Sequence, residues 1–232
     1  MKAIDGAVGW HDSIATSFAQ GYDRSPAFQE RAKLWQALID DAVGPGDRVL
    51  DAGCGSGIFS LMAAQRGASV LGIDGSDSMI ALGNASLATH GITNIEFRQA
   101  MLDEIKAWPS AEFDVILSSS VLEYVEGFDQ ILGELCRLLK PGGRLIVSMP
   151  NAQALYRKME RIVFAVTGRP RYYAHVRNVL SSATFAAMIE SHGLGLTGVR
   201  YFADPPAPFG TLTRWLTPAR NKSLFVISAT KR

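Results

Sequence analysis

Apolar and polar positions change period in a regular alternation along most of the chain. Short apolar runs at 48–52, 69–74, 94–98, 113–118 and 144–149 have the length of buried strands. Between them, 57–66, 77–90 and 128–139 space their apolar residues every three or four positions, as helices do. The punctuation agrees. Pro45-Gly46 precedes the first strand, Gly67 and Gly91 end helices, Ser76 caps one, and Lys140-Pro141-Gly142-Gly143 stops another. Ahead of this block, Pro26 opens a helix over 27–43 that gathers Ala32, Trp35, Leu38, Ile39 and Ala42 on one face. A shorter helix is expected around 13–20. After the block the pattern predicts a helix over 182–192, a strand over 197–202, a short helix over 211–216 and a last strand over 224–230. Strands alternating with helices specify an α/β fold built on a parallel sheet.

The chain is organised around Val49-Leu50-Asp51-Ala52-Gly53-Cys54-Gly55-Ser56-Gly57. This is a strand end, a glycine turn and the start of a helix, whose free N–H groups face a ligand. A second strand ends in Asp74, 23 residues after Asp51. That is about the distance that puts a carboxylate on a ribose in a dinucleotide fold. Two features argue against a dinucleotide. The spacing is G-x-G-x-G, and Asp51 stands directly before the turn, where it would repel a pyrophosphate and welcome an ammonium. A nucleoside carrying a cationic amino acid, S-adenosylmethionine, fits both.

Three motifs in order carry a resemblance: Asp51 to Gly57, Gly72-Ile73-Asp74-Gly75-Ser76, and Leu139-Lys140-Pro141-Gly142-Gly143. Together they resemble the class I S-adenosylmethionine-dependent methyltransferases, from about Trp10 to the C-terminus. The resemblance implies a Rossmann-like, seven-stranded, mostly parallel sheet with helices on both faces and an antiparallel last strand. It implies one domain over 1–232, with a helical cap over about 1–43 and a helical lid over about 152–180. Implied cofactor residues are Tyr22 over the methionine end, Asp51, Gly53, Cys54, Gly55 and Gly57 in the turn, and Asp74, Gly75, Ser76 and Met79 past the second strand. Met101 and Leu102 are implied at the adenine, and Ser118 at the end of the fourth strand. Core packing is an equal alternative for Met79. Relatives often carry an acid at the position of Met101 and Glu-His where this chain has Glu123-Tyr124.

Composition limits the rest. Of 232 residues, 47% are hydrophobic and the net charge is +1, so no global field of the nucleic-acid-binding kind exists. Cys54 and Cys136 form no C-x-x-C pair and suit a reducing cytosol. No metal is expected. No basic-then-apolar leader and no apolar run of 18 residues stands out, so a cytoplasmic protein is expected. Residues 152–177 depart from this balance, setting Arg157, Lys158, Arg161, Arg169, Arg171 and Arg177 against Glu160 alone. Interleaved with apolar residues, they predict a basic amphipathic helix. It resembles the insertion of the ubiquinone-biosynthesis O-methyltransferases, which handles a polyprenyl substrate. An ordinary lid with a solvated basic face and a peripheral membrane or lipid contact through 155–171 both stay open.

The expected reaction is methyl transfer to a hydroxyl of a fairly apolar small molecule. His175, before a Ser-capped helix, is the candidate base, and a histidine titrates in the right range for that work. Glu123 is the candidate orienter. Tyr124 keeps a hydrogen-bonding tip but is a poor base at neutral pH. His11, His90 and His192 have no supporting context and read as a tail residue and two helix-end residues. N-methylation of an amine metabolite or amino sugar is the alternative, and a non-catalytic S-adenosylmethionine- or lipid-binding protein a minor one. Ser118-Ser119-Ser120 stands where an Asn/Asp-Pro-Pro-Tyr motif for RNA or protein acceptors would be.

Overall fold

Each predicted strand takes its place in one seven-stranded sheet. The computed structural model describes residues 4–207 and 209–232, apart from the side chains of Ile4, Asp5 and His90. Two helices lead in, α1 (Ile4–Arg24) and α2 (Pro26–Ala42). Then β1 (Arg48–Ala52), α3 (Ile58–Gln65), β2 (Ser69–Asp74), α4 (Asp77–His90), β3 (Ile95–Gln99) and β4 (Phe113–Ser119) follow. The second half holds α5 (Phe128–Leu138), β5 (Leu139–Pro150), α6 (Leu155–Thr167), α7 (Ser182–Ser191) and β6 (Leu194–Phe202). Two short helices, α8 (Phe209–Thr213) and α9 (Pro218–Asn221), precede β7 (Leu224–Lys231). The strand order is β3-β2-β1-β4-β5-β7-β6. β7 pairs antiparallel with both neighbours, so β6 runs in the direction of the first five. Strand order reverses between β1 and β4, and that switch point is where open α/β sheets leave a crevice at the strands' carboxyl ends.

Strand alternation splits the core into two halves. Leu50, Ile116 and Val147 face Leu132, Leu135 and Phe185 from α5 and α7. Val49, Val115 and Leu117 face Trp35, Ile39 and Phe59 from α2 and α3. A parallel sheet covered on both faces needs apolar residues at successive positions, which is why the strands read as continuous runs. Each fully buried Leu, Ile or Phe contributes about 1.5–3 kcal/mol, so the sheet is a stiff floor for whatever sits at its rim.

Three elements differ from the sequence expectation. α1 spans Ile4–Arg24, far beyond 13–20. It is pinned from outside its own pattern: the Asp12 carboxylate accepts from the Ser76 hydroxyl and from the Ser78 N–H, at 3.1 Å for the latter. β5 starts at Leu139, because Leu139 pairs with Phe113 before the Lys140–Gly143 turn shifts the register and pairing resumes at Arg144. β6 likewise starts earlier, at Leu194.

A fourth difference concerns the facing of α6. In the lid reading of the sequence, the basic face of α6 is solvated. Instead, Arg157 and Glu160 turn inward and pair at 2.6 Å, and the Tyr172 hydroxyl donates to Glu160. Ile162 and Val166, 67% and 81% exposed, point outward beside exposed Lys158 and Arg161. No helix among the described residues is long and apolar enough to cross a membrane.

Candidate active site

A cavity of about 680 Å³ opens at the carboxyl ends of β1, β2 and β4, within the usual size of a small-molecule site. The glycine turn forms its floor. The N–H groups of Gly53 and Cys54 both donate to the Ile73 carbonyl, at 2.8 and 2.9 Å, which ties the turn to β2. Gly53 has φ +78°, and a Cβ there would lie 2.2 Å from Val121. Only glycine fits at that point. Gly57 serves a different purpose: at φ +84°, its missing side chain makes room for the Phe97 ring, 2.2 Å from where a Cβ would stand. It seats α3 against the sheet and does not line the cavity.

Asp74 is at the cavity wall. Its Oδ2 accepts from the Gly55 N–H and its Oδ1 from the Ser76 N–H, each at 2.9 Å. A carboxylate keeps further lone pairs for a ligand's hydroxyls. Burial raises its pKa, against the pull of those two N–H groups. Asp51 is not at the wall. It is fully buried behind the turn, where the Ser60 hydroxyl donates to Oδ2 at 2.7 Å and Oδ1 has no partner. Burial pushes its pKa up to about 6. The sequence argument that Asp51 meets an ammonium directly is therefore not met by the geometry.

Most of the other candidate cofactor residues do gather at the cavity: Tyr22, Cys54, Gly55, Gly75, Met79, Met101 and Leu102. Tyr22 sits edge-on to Phe18, Phe28 and Phe59. Ser76 does not line it; its hydroxyl caps α4 by accepting from the Met79 N–H at 3.2 Å. Ser118 is buried with its hydroxyl unpartnered, whereas Ser119 and Ser120, next along the chain, line the cavity.

Glu123 and Tyr124 form a 3₁₀ turn after β4 and both line the cavity. The Asn178 side-chain amide holds this turn, donating to the Leu122 and Val125 carbonyls at 2.7 Å each. Glu123 is 3% exposed and its Oε2 has no hydrogen-bond partner. Burial pushes its pKa up to about 7, with Arg31 and Arg157 pulling the other way. Burial also lifts the Tyr124 phenol far above its ordinary value. His175 is not brought to the cavity. It ends a 3₁₀ turn over Arg171–His175, and its ring lies 5.8 Å from Trp10.

Tyr22 apart, sequence reasoning missed one wall and read His11 as a tail residue. α1 contributes Trp10, His11, Ile14 and Phe18, and α2 contributes Arg31. Arg31 donates to the Ser119 carbonyl and hydroxyl at 2.9 and 2.7 Å, and its Nε is buried without a partner. Arg157, Tyr172 and Arg177 close the far side. The signal that could have found Arg157 is the i, i+3 pairing with Glu160 on one helix face. Arg31 and Glu123 thus present a cation and a carboxylate, each with an orphaned buried atom, to one cavity. A zwitterionic amino acid would satisfy both.

Comparison with known proteins bears on the family and the fold. A family model described as a methyltransferase domain matches residues 44–191. The chain is 34% identical over 132 residues to a ubiquinone biosynthesis O-methyltransferase of Acinetobacter baumannii, covering 56% of this chain and 54% of that one. A ubiquinone biosynthesis O-methyltransferase of Pseudomonas fluorescens is 35% identical over 131 residues, with the same coverage. The matched region thus spans about half the length of these relatives. Among solved structures, magnesium protoporphyrin IX methyltransferase from Synechocystis, with bound S-adenosylhomocysteine, superposes with a TM-score of 0.73 at 17% identity, covering 97% of this chain and 98% of that one. An S-adenosylmethionine-dependent methyltransferase from Mesorhizobium loti gives 0.65 at 24% identity, covering 91% and 100%. The chain belongs to the methyltransferase-domain family, the S-adenosylmethionine-dependent methyltransferases.

Proposed function

We propose that this chain methylates a hydroxyl oxygen of an apolar small molecule, using S-adenosylmethionine as donor. The observation that carries the reading is one cavity lined by two chemically unlike groups of residues. Asp74, the glycine turn, Met79 and Met101 form one group, and Trp10, His11, Tyr124 and Tyr172 the other. When bound, the donor supplies an electrophilic methyl group on a cationic sulfur. Asp74 accepts the ribose hydroxyls with its unused lone pairs. Gly53, Cys54 and Gly55 let the backbone approach the ligand, Met79, Met101 and Leu102 wall the purine, and Gly75 leaves room for the Met101 side chain. Arg31 takes the carboxylate and Glu123 the ammonium of the amino-acid end, with Tyr22 above it. Asp51, Gly57, Ser76 and Ser118 hold the shape of this site from behind.

The residues' main task is alignment, which converts a two-body encounter into a positioned one. The aromatic group of residues keeps water away from the acceptor, and the high pKa of Tyr124 keeps its hydroxyl protonated as a hydrogen-bond donor. Support for an oxygen acceptor comes from the relatives named O-methyltransferases. The apolar outer stripe of α6 (Met159, Ile162, Val163 and Val166) supports contact with a lipid or a long apolar tail of the acceptor. The test is incubation with S-adenosylmethionine and a panel of phenols and polyprenyl phenols, read by mass spectrometry. One added methyl on oxygen is expected; methylation of amines alone would overturn the reading. For the α6 contact, the double variant Ile162→Glu/Val166→Glu is expected to abolish pelleting with anionic liposomes. A wild type that never pellets refutes it.

A further inference from the structure

The cavity needs a group that can accept the proton an acceptor hydroxyl loses. Three observations single out one side chain. His11 lines the cavity from α1, in the wall that faces the turn after β4. Its Nδ1 lies 2.8 Å from the Ala7 carbonyl oxygen, which can only accept, so Nδ1 carries the ring hydrogen in the neutral form. Nε2 is then the lone-pair nitrogen, and no hydrogen bond to it exists among the described residues. The ring stands edge-on to Tyr124 at 5.0 Å and to Trp10 at 4.7 Å, so it is held in place by aromatic neighbours.

We propose that His11 is the general base, taking the proton of a phenolic acceptor seated against Trp10, Tyr124 and Tyr172. This rests on the O-methylation reading above. As the acceptor oxygen bonds the methyl carbon and the methyl–sulfur bond breaks, its electron pair staying on sulfur as a neutral thioether, the hydroxyl proton passes to Nε2 and neutral imidazole becomes imidazolium. The imidazolium returns the proton to water once the product has left. His11 is ready for this because burial lowers its pKa below the ordinary value, outweighing the Ala7 carbonyl and Asp74, which raise it, while His175 lowers it further. The titratable groups facing it are Asp74 from the end of β2, His175 from the 171–175 turn and the Tyr124 phenol. His11 packs against Tyr124 and is close enough to Asp74 to feel its charge, so the base neighbours both groups of cavity residues.

The test uses the whole chain saturated with S-adenosylhomocysteine, so no turnover is required. The probe is 4-nitrocatechol, whose phenolate absorbs visible light, titrated from acid to base in the wild type, His11→Gln and His11→Asn. In the wild type the bound phenol is expected to ionise at least about one pH unit below the free phenol, a tenfold gain in the ionised form. In both variants that shift is expected to vanish while S-adenosylhomocysteine still binds. With a methylatable acceptor, the same variants are expected to lose about 10²-fold in turnover, with KM little changed. An unchanged shift in both variants overturns the assignment, as does a loss confined to His175→Gln. Failure of the wild type to bind nitrocatechol overturns the phenol's placement. Loss of S-adenosylhomocysteine binding in both variants makes His11 a support for the α1 wall and overturns its role as base. Failure of the wild type to bind S-adenosylhomocysteine brings down the donor reading itself, and the proposal with it.

Discussion

Glu123→Gln should stabilise the ligand-free protein and weaken its hold on the donor. The Glu123 carboxylate is buried, its Oε2 lacks a partner, and its pKa is pushed up to about 7 from its ordinary value of 4.5. The folded state then binds more protons than the unfolded state between those two values. Stability from this group is fully present below about pH 4.5 and is lost as pH rises through 7. At about 1.4 kcal/mol per pH unit, the loss reaches roughly 3 kcal/mol by pH 8. Glutamine stays neutral and avoids it. Asp51, also raised, is common to both proteins and cancels in the difference. For a domain of this size about 3 kcal/mol corresponds to roughly 6–12 °C in Tm. Thermal unfolding followed by circular dichroism is expected to give nearly equal Tm values at pH 4.5 and a higher Tm for the variant at pH 8. Calorimetric titration should show the variant binding S-adenosylmethionine about 1.5–3 kcal/mol more weakly, the loss of a charged hydrogen bond. A Tm gap that does not change with pH, or a variant less stable at pH 8, would refute the argument.

Two further outcomes follow from named contacts. Asp74→Ala removes an acceptor that two backbone N–H groups already hold in place. It should weaken S-adenosylmethionine by roughly 1–3 kcal/mol in a calorimetric titration, and wild-type affinity would remove Asp74 from the site. Glu160→Ala strands the Arg157 guanidinium, whose side chain is 12% exposed, and should cost about 3–5 kcal/mol in denaturant unfolding. The double variant Arg157→Met/Glu160→Met should recover most of that loss, and failure to recover would show that the pair contributes more than mutual neutralisation.

The parallel strands were legible because both of their faces are buried, so each is an apolar run ended by glycine, proline or a polar cap. The glycine turn and Asp74 were legible because close backbone approach and a strand-end carboxylate leave few residue choices. What the sequence hid depended on facing. Ser118 and Ser119 are adjacent and chemically alike, yet only Ser119 reaches the cavity. α1 turns Val8, His11, Ile14 and Phe18 toward a cavity and not a packed core, so its pattern reads as short and weak. Periodicity on α6 shows that two faces differ without saying which is inward, and the buried Arg157–Glu160 pair reverses the usual rule. Asp51 stands beside the turn in sequence, but its side chain points behind the turn.

The most direct test of the account is calorimetric titration of S-adenosylmethionine and S-adenosylhomocysteine into the purified chain, with Asp74→Ala in parallel. The account predicts saturable one-site binding on the order of micromolar Kd for the wild type, about −8 kcal/mol, and a clear loss in the variant. No heat and no thermal stabilisation with either nucleoside would contradict it, and the glycine turn between β1 and α3 would then need a different ligand.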